Sequence, residues 1–486
     1  MLLRLLPSLA LLLLLHLCFA HQSAPQKFLN PNRRAHWQDG NPNHGPFYAQ
    51  PEQVHLSYGG DPSTLLVTWV TFDDTLASLV EYGESDDNLD HVVKGNTSLF
   101  EDGGALKTKR YIHRVQIEGI KPGVKYYYHA GSEYGWSSIF SFVGLKPRLK
   151  PRATGGYRYA VYGDMGNINA RSLGKIQSLA QKRDFDMVLH NGDLAYNLDT
   201  YEGKFGDEFM RQIEPIAAYV PYMTAVGNHE NAYNFSHYVN RYTMPKSDHN
   251  LFYSFDVGET HFIVFSTEFY FYTNYGWNQI GHQWQWLLND LKKANENREK
   301  VPWIVTMGHR PMYCSDFDSD DCTYYESLIR VGLPLTHSYG LENLFYKYGV
   351  DLELWAHEHS YERMWPVFNR TVYNGTKDPY VDPPAPVHVV TGSAGCQENT
   401  DPFIPHPPPW SALRSSDYGF SRMQVFNSSH LYFEQISASK NEIVDSFWII
   451  KSKHGKYSSP YLKEKMKRFG TKIPERYCHH PSHCPN

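Results

Sequence analysis

Polar side chains that can bind metal ions follow five short apolar runs between residues 157 and 359, at the point where each run ends. These side chains are Asp164, Asp193, Asn228, His309, His357 and His359. Carboxylates, amides and imidazoles bind transition-metal ions. Taken singly, each residue has a simpler explanation as a turn aspartate or a hydrogen-bonded histidine. Their repetition after five runs in one region indicates a metal centre instead.

Tyr196 lies three residues after Asp193, in the stretch HNGDLAY. On its own it is either a buried aromatic residue beside a loop or a phenolate ligand. The identity of its neighbours in space decides between these two interpretations.

The apolar runs that precede these residues predict the elements that position them. From residue 157 onward, short strands ending in polar loops alternate with amphipathic stretches such as QWQWLLNDLKKANEN, which is typical of a layered α/β domain. The last part of this region, residues 421–451, predicts antiparallel hairpins that close the sheet. Loops at the carboxyl ends of strands are where α/β sheets build their sites. We therefore expect the polar side chains to meet at one sheet edge.

The preceding region, residues 51–145, predicts a separate all-β domain. Short alternating strands are separated by Gly, Asp and Pro clusters, and Trp69 lies in an early strand. This favours a seven-strand sandwich of the fibronectin III type, with another small β-barrel as the alternative. Residues 146–156 are rich in Pro, Lys, Arg and Gly and are predicted to be a linker. We expect residues 21–50 to be irregular and residues 456–486 to be a C-terminal extension.

Five motifs in order resemble the five blocks of the metallophosphoesterases. They are GDMG (163–166), GDLAY (192–196), GNHE (227–230), MGHRPMY (307–313) and HEH (357–359). With tyrosine in the second block, the set is similar to the large two-domain purple acid phosphatases, including the animal iron/zinc form. The resemblance implies an N-terminal fibronectin III-like sandwich. It also implies that residues 157–455 form an α/β metallophosphoesterase domain, a β-sandwich flanked by helices.

The resemblance also implies a binuclear metal centre. Fe(III) would be held by Asp164, Asp193, Tyr196 and His359. A divalent ion (Zn, Fe or Mn) would be held by Asp193, Asn228, His309 and His357. Asp193 would bridge the two metals. The first set carries three formal negative charges, which favours a hard trivalent ion, whereas an amide and two neutral imidazoles suit a divalent one.

The activity implied by the resemblance is hydrolysis of phosphate monoesters at acidic pH. A metal-activated hydroxide would be the nucleophile, with no phosphoenzyme, and His229 as imidazolium would protonate the leaving group. A phosphodiesterase or nucleotidase is the alternative within this chemistry. An extracellular binding protein with a vestigial metal site is the alternative of another class. A small phosphorylated molecule or a phosphoprotein would be the substrate.

The sequence departs from the family's pattern after Cys322. Plant enzymes carry adjacent histidines there for substrate contact, whereas this chain reads RVGLPLTHSYG. Arg330 and His337 are the available candidates, and His337 is equally interpreted as a plain loop residue. Glu230 and Glu358 are expected to support the ligands by hydrogen bonds. The aromatic stretch 268–279 either overhangs the site or is packed.

The N-terminus and the cysteines indicate the compartment. Residues 1–20 read as a secretory signal peptide, with a membrane anchor as the alternative, so we expect a secreted or lumenal protein without an anchor. Five sequons support this, at Asn96, Asn234, Asn369, Asn374 and Asn427.

Cysteine spacing suggests the disulfide candidates Cys314–Cys322 and Cys478–Cys484 and leaves Cys396 unpaired, free or available for a disulfide-linked dimer. A net charge of −5 without a basic run excludes a nucleic-acid footprint. We expect a monomer or homodimer.

Overall fold

A computed structural model of the protein describes residues 48–146, 155–247 and 249–457. Several predictions lie outside these residues. They are the signal peptide, nearly all of the segment 21–50, most of the linker, nearly all of the C-terminal extension, and Cys478 and Cys484. Within the described ranges, none of the helices has both the length and the apolarity needed to cross a lipid bilayer.

The N-terminal domain is a sandwich of two antiparallel sheets. Its strands β1 to β9 are Glu52–Tyr58, Leu65–Thr71, Leu79–Gly83, His91–Lys94, Asn96–Glu101, Lys109–Ile117, Lys125–Ser132, Gly135–Trp136 and Phe140–Val143. One sheet has the order β1-β2-β6-β5, and the other has β4-β3-β7-β8 with β9 paired to β7. Side chains of both sheets, among them Trp69 and Tyr128, fill the core between them.

The prediction of a β-sandwich is confirmed, but its strand count was too low. The structure has nine strands where seven were expected. Strands β4 and β5 were missed because their side chains are mostly exposed and polar, so they lack the apolar alternation that marks a half-buried strand.

The second domain contains the remaining strands and the helices. Strands β10 to β24 are Tyr157–Tyr162, Met187–Asn191, Tyr222–Ala225, Tyr253–Val257, Thr260–Val264, Trp303–Met307, Leu352–Trp355, Tyr361–Met364, Val367–Phe368, Thr371–Val372, Val387–Thr391, Ser411–Ser415, Gly419–Asn427, His430–Ser437 and Glu442–Ile450. Helices α1 to α6 are Leu173–Gln181, Lys204–Ala217, Ala232–Arg241, Asn278–Glu296, Leu328–Val331 and Leu341–Tyr348. Short 3-10 turns are Asn228–Glu230, Glu268–Tyr270, Thr273–Tyr275 and Asp321–Thr323.

Apart from β18 and β19, which pair only with each other, these strands form two mixed sheets that share one apolar core. The first has the order β12-β11-β10-β22-β23-β24, and the second has β13-β14-β15-β16-β20-β17-β21. Strands β10, β11 and β12 are mutually parallel, as are β14, β15, β16 and β20. Since parallel strands end at the same edge, each sheet presents a row of loops at its carboxyl edge. The predicted α/β class is confirmed.

A buried ionic network joins the two domains. Asp207 of α2 accepts hydrogen bonds from Nε and Nη2 of Arg110 in β6, at 2.8 and 2.7 Å. Nη1 of Arg241 in α3 donates to the same carboxylate at 2.7 Å. Tyr128 of β7 donates from its hydroxyl to the carbonyl of Ala218 at 2.7 Å. The sandwich is therefore anchored to the helical side of the second domain.

Candidate metal centre

The predicted ligands converge on the carboxyl ends of strands from both sheets. Asp164 follows β10, Asp193 and Tyr196 follow β11, and Asn228 follows β12. His309 follows β15, and His357 and His359 follow β16. The site therefore lies where the loops of the first sheet meet those of the second.

One group of ligands consists of Asp164, Tyr196 and His359. The Tyr196 hydroxyl lies 3.1 Å from Oδ1 of Asp164 and 2.8 Å from Nε2 of His359. Nε2 of His359 lies 3.8 Å from the same Asp164 oxygen. Three donor atoms thus face a common point. Tyr196 is therefore more than a buried aromatic residue beside a loop, because its oxygen points toward the other two predicted ligands.

The other group surrounds His309. Its Nε2 lies 3.1 Å from Oδ2 of Asp193 and 3.0 Å from Oδ1 of Asn228. Asp193, His309 and His357 each offer one ligand atom, and these atoms lie within 4.8 Å of one another. The backbone N–H of His357 donates to Oδ2 of Asp164 at 3.0 Å, which ties the two groups together.

Hydrogen bonds on the far side of two imidazoles fix the nitrogens that face the site. Nδ1 of His309 lies 2.8 Å from the carbonyl of Asn191, and Nδ1 of His359 lies 2.9 Å from the carbonyl of Asn399. Each Nδ1 must therefore carry the proton, so Nε2 of the neutral ring presents a lone pair. For His309 that lone pair faces the oxygens of Asp193 and Asn228. An imidazole nitrogen grouped with a carboxylate oxygen and an amide oxygen in this way fits a metal ion.

The burial of the acidic predicted ligands also fits a metal ion. Asp164 and Asp193 are at most 1% exposed and Tyr196 is 2% exposed. Burial raises the pKa of the Asp164 carboxyl well above its usual range. Burial, together with the charge of Asp164, does the same to the pKa of the Tyr196 phenol. Anions in such a position require a cation. The donor set therefore fits the two metals that the resemblance implies.

The backbone around the ligands is strained. Asp164, Asp193, Tyr196 and His357 all have positive φ, between 48° and 72°. Such conformations cost on the order of 1–3 kcal/mol each and cluster at functional sites. Glycine relieves crowding nearby, since a Cβ at Gly227 would lie 2.2 Å from Oδ1 of Asp193. The fold gives up local stability to place these side chains.

Glu230 clamps two of the ligand loops. Its Oε2 accepts hydrogen bonds from the backbone N–H groups of Asp193 and Gly227, and its Oε1 accepts from Leu194, each at 2.9 Å. Burial, followed by the charge of Asp193, raises the pKa of Glu230 to about 8. Glu230 thus has the supporting position that was predicted for it.

Glu358 is also fully buried, and its carboxylate lies against the sulfur of Cys322. Among the described residues, no hydrogen bond joins its carboxylate to a ligand side chain, so the supporting hydrogen bonds expected of Glu358 are not found.

His229 borders the site and directs its Nε2 toward two carboxylates. Nδ1 lies 2.5 Å from the side-chain oxygen of Asn197, so it donates there. Nε2 lies 3.8 Å from Asp193 and 3.7 Å from Glu398. The ring lies 4.2 Å from that of Tyr196, centroid to centroid, and the side chain is 21% exposed. An imidazole placed in this way can give up a proton at Nε2.

The structure does not bring the other candidates to the site. His337 is exposed in a turn, and no hydrogen bond or ion pair of the described residues links its side chain to the ligands. Arg330 is buried, and its guanidinium donates to Glu342 at 2.9 Å and to the carbonyl of Tyr325. A loop path cannot be read from residue types, which explains why both were considered.

Three residues beside the site were missed. Nη1 of Arg310 and Oδ2 of Asp320 each lie 2.8 Å from Nε2 of His357, and Glu398 lies near His229. For two of these residues, the position in the sequence could have indicated a place near the site. Arg310 directly follows a ligand, and Glu398 follows β20, whose loop lies at the same edge as the ligand loops.

Cysteines and aromatic residues complete the surroundings. Cys314 and Cys322 form a disulfide with their Cα atoms 5.5 Å apart. Cys396 is free and buried, with Sγ 3.5 Å from Nδ1 of His359, so its thiol is not accessible to a second chain. In the stretch 268–279, Phe269 and Tyr270 are packed in the core. Tyr272 reaches the carbonyl of Asn228 at 3.5 Å, so the stretch is partly core and partly wall of the site.

Comparison with known proteins gives matches along most of the chain. Residues 51–143 match the family model "Purple acid Phosphatase, N-terminal domain", residues 157–361 match "Calcineurin-like phosphoesterase", and residues 385–446 match "Iron/zinc purple acid phosphatase-like protein C". Acid phosphatase type 7 of Danio rerio is 50% identical over 84% of this chain and 93% of its own length.

The Homo sapiens protein of that name is 49% identical, over 84% of this chain and 92% of its own. The structure of purple acid phosphatase PPD1 from yellow lupin seeds has a TM-score of 0.68 at 26% identity, covering 83% of this chain and 75% of that one.

Proposed function

The chain belongs to the purple acid phosphatase family, and from that premise we propose that it hydrolyses phosphate monoesters in mildly acidic solution. The centre would hold Fe(III) at Asp164, Asp193, Tyr196 and His359, and a divalent ion at Asp193, Asn228, His309 and His357. Asp193 would belong to both sets.

One observation carries this proposal. Nε2 of His309 faces two oxygens at 3.0 and 3.1 Å, while on the other side a phenol, a carboxylate and an imidazole converge. Every predicted ligand is present, whereas a decayed site would have lost at least one. This supports a working enzyme over a binding protein with a vestigial site.

Different residues of the chain would have different roles in hydrolysis. When bound, two metal ions would supply the attacking hydroxide from water and neutralise charge on the phosphate. His229 would hold a proton at Nε2 and transfer it to the departing alkoxide, while Asn197 keeps the ring oriented through Nδ1. Asn191 and Asn399 fix the orientation of His309 and His359 through their carbonyls.

We also propose that the protein is secreted or lumenal. The predicted signal peptide motivates this, and the exposed positions of all five sequon asparagines support glycosylation there. The Cys314–Cys322 disulfide agrees with an oxidising compartment. The substrate would be a small phosphorylated molecule or a phosphoprotein.

The test is a combined metal, colour and activity measurement on the purified protein. We expect iron and one divalent metal in equal amounts, a visible charge-transfer band, and hydrolysis of an aryl phosphate with a maximum between about pH 4 and 7. An aryl diester, tested in parallel, should be hydrolysed more slowly. A colourless protein without iron, inactive on both esters, would overturn the proposal and favour the binding-protein alternative.

A further inference from the structure

A groove beside α3 and α4 contains one of the five sequon asparagines. Its volume is about 600 Å³, and Asn234 is one of the residues that line it. The apolar part of the lining includes Leu251, Phe252, Phe269 and Trp286. A cavity of this size is typical of a binding site for a small molecule. The predicted metal ligands are not part of this lining, so the groove is separate from the candidate metal centre.

Two aromatic side chains of the groove are only partly buried. The rings of Phe252 and Trp286 lie 5.1 Å apart, centroid to centroid, with an angle of 47° between their planes. Both side chains pack against the apolar core of the domain. Clustered aromatic surface that stays in contact with water indicates a binding partner. A sugar is a suitable one, because the C–H groups on the face of a sugar ring carry partial positive charge and aromatic faces carry negative charge.

The amide of Asn234 is oriented by its oxygen. Nε2 of Gln279, in the first turn of α4, donates to Oδ1 of Asn234 at 2.9 Å. Among the described residues, none accepts a hydrogen bond from Nδ2 of Asn234. An N-linked sugar replaces one hydrogen of Nδ2 and leaves Oδ1 able to accept, so it is compatible with the Gln279 contact. Asn234 is exposed in a left-handed turn that interrupts the start of α3, with φ of 56°.

We propose that an N-linked glycan on Asn234 occupies this groove, with its first sugar packed on Phe252 and Trp286. The proposal rests on the secreted or lumenal location proposed above, because sequons are modified in that compartment. In this reaction the amide nitrogen bonds to the anomeric carbon of a lipid-linked oligosaccharide. The bond from that carbon to the diphosphate of the donor breaks, and one amide proton is released. Ser236 completes the sequon.

The glycan would also support the aromatic wall of the candidate metal centre. The residue that follows the sequon asparagine, Phe235, has its ring 6.1 Å from that of Phe269 and 6.2 Å from that of Tyr272. Phe269 lines the groove, and Tyr272 reaches the carbonyl of Asn228. A sugar held between α3 and α4 would therefore stabilise these helices and the wall together.

The test follows individual glycans on protein expressed through a eukaryotic secretory pathway. Mass spectrometry should find Asn234 occupied. A peptide N-glycosidase acting on the folded protein should release this glycan at least roughly tenfold more slowly than the glycan on Asn374, because a packed sugar is reached only by local opening. Asn374 is the matched control, since it lies in an exposed loop outside the groove. After denaturation, both glycans should be released at the same rate.

Variants separate the glycan from the groove. Asn234→Gln and Ser236→Ala both lack the glycan, and each should bind a hydrophobic fluorescent dye at least about twofold more than the wild type. The Ser236 hydroxyl has no hydrogen-bond partner among the described residues, so its removal should cost little stability. Asn374→Gln should bind the dye like the wild type. Trp286→Ala keeps the sequon and should make the glycan on Asn234 as easily released as that on Asn374.

Three outcomes would overturn the inference. The first is an unmodified Asn234 in a protein whose Asn374 carries a glycan. The second is equal release of the two glycans from the folded protein, which would leave the groove to another occupant such as a peptide or a lipid. The third is a protein without a glycan at any of the five sequons, and that result would contradict the proposed secretory location as well.

Discussion

Tyr196 is the residue on which the proposed Fe(III) site depends. Its hydroxyl contacts Asp164 and His359, and its ring lies against His229. The two carboxylates and the phenolate together bring three negative charges to one position, which suits Fe(III). A phenylalanine there would leave the apolar packing of the ring but remove one anionic ligand.

We expect Tyr196→Phe to abolish the visible charge-transfer band and to weaken iron binding, while the protein stays folded. The change removes a hydrogen bond worth about 1 kcal/mol, which is small for a domain of this size. Absorbance, iron content and circular dichroism measure the three effects. Tyr58→Phe is the control, since Tyr58 is buried and its hydroxyl donates to the carbonyl of Asp256, away from the ligands. A band that survives in Tyr196→Phe would show that the ligand assignment is wrong.

The loop between β15 and α5 is closed by the Cys314–Cys322 disulfide, eight residues apart in sequence. It carries Asp320 to His357 and places Cys322 against Glu358. The disulfide therefore holds one wall of the site as well as stabilising the loop.

The double substitution Cys314→Ala with Cys322→Ala should lower the free energy of unfolding by about 2–3 kcal/mol, from the loop-closure entropy of a short ring. Denaturant unfolding under oxidising and reducing conditions measures this change. Reductant should destabilise the wild type by a similar amount and should leave the double variant unchanged. If reductant destabilised the double variant as strongly as the wild type, the effect would not come from this disulfide.

The two domains are joined by buried charges, with Asp207 between Arg110 and Arg241. Although burial opposes ionisation, the two arginines lower the pKa of Asp207 from 3.8 to about 2. The stability that this carboxylate contributes is therefore complete above about pH 4 and is lost as the pH falls through about 2. The contact between the domains is thus maintained in the mildly acidic range proposed for activity.

Asp207→Asn should lower the free energy of unfolding by about 3–5 kcal/mol at pH 7, because it leaves two buried guanidinium groups without a counter-charge. The difference from the wild type should be the same at pH 5 and smaller below pH 3, as the wild-type carboxylate becomes protonated. Thermal and chemical unfolding at these pH values test this. Glu84→Gln, which breaks the exposed pair with Lys121, should leave the midpoint unchanged. Equal stability of Asp207→Asn and the wild type at pH 7 would contradict the role of this network.

Much of the fold and the site was predictable from local sequence. Apolar runs such as MVLHN and WIVTM are buried strands of five residues, and each is followed at once by a ligand. Strand burial depends on residue types within a few positions, so it is visible in the sequence. The exposed strands β4 and β5 could not be predicted from the sequence, because their side chains are mostly polar and do not form an apolar run.

The sequence by itself determined the family, the order of the two domains and the set of candidate ligands, because these depend on short motifs and on alternation within single elements. Only the tertiary structure decided which polar residues outside the motifs reach the centre. The loops that follow β15 and β20 cross the same sheet edge, and they bring Arg310, Asp320 and Glu398 to the centre. Arg330 is instead paired with Glu342, and His337 is exposed to solvent. The path of a long loop is set by packing between distant segments, which residue types along the chain do not specify.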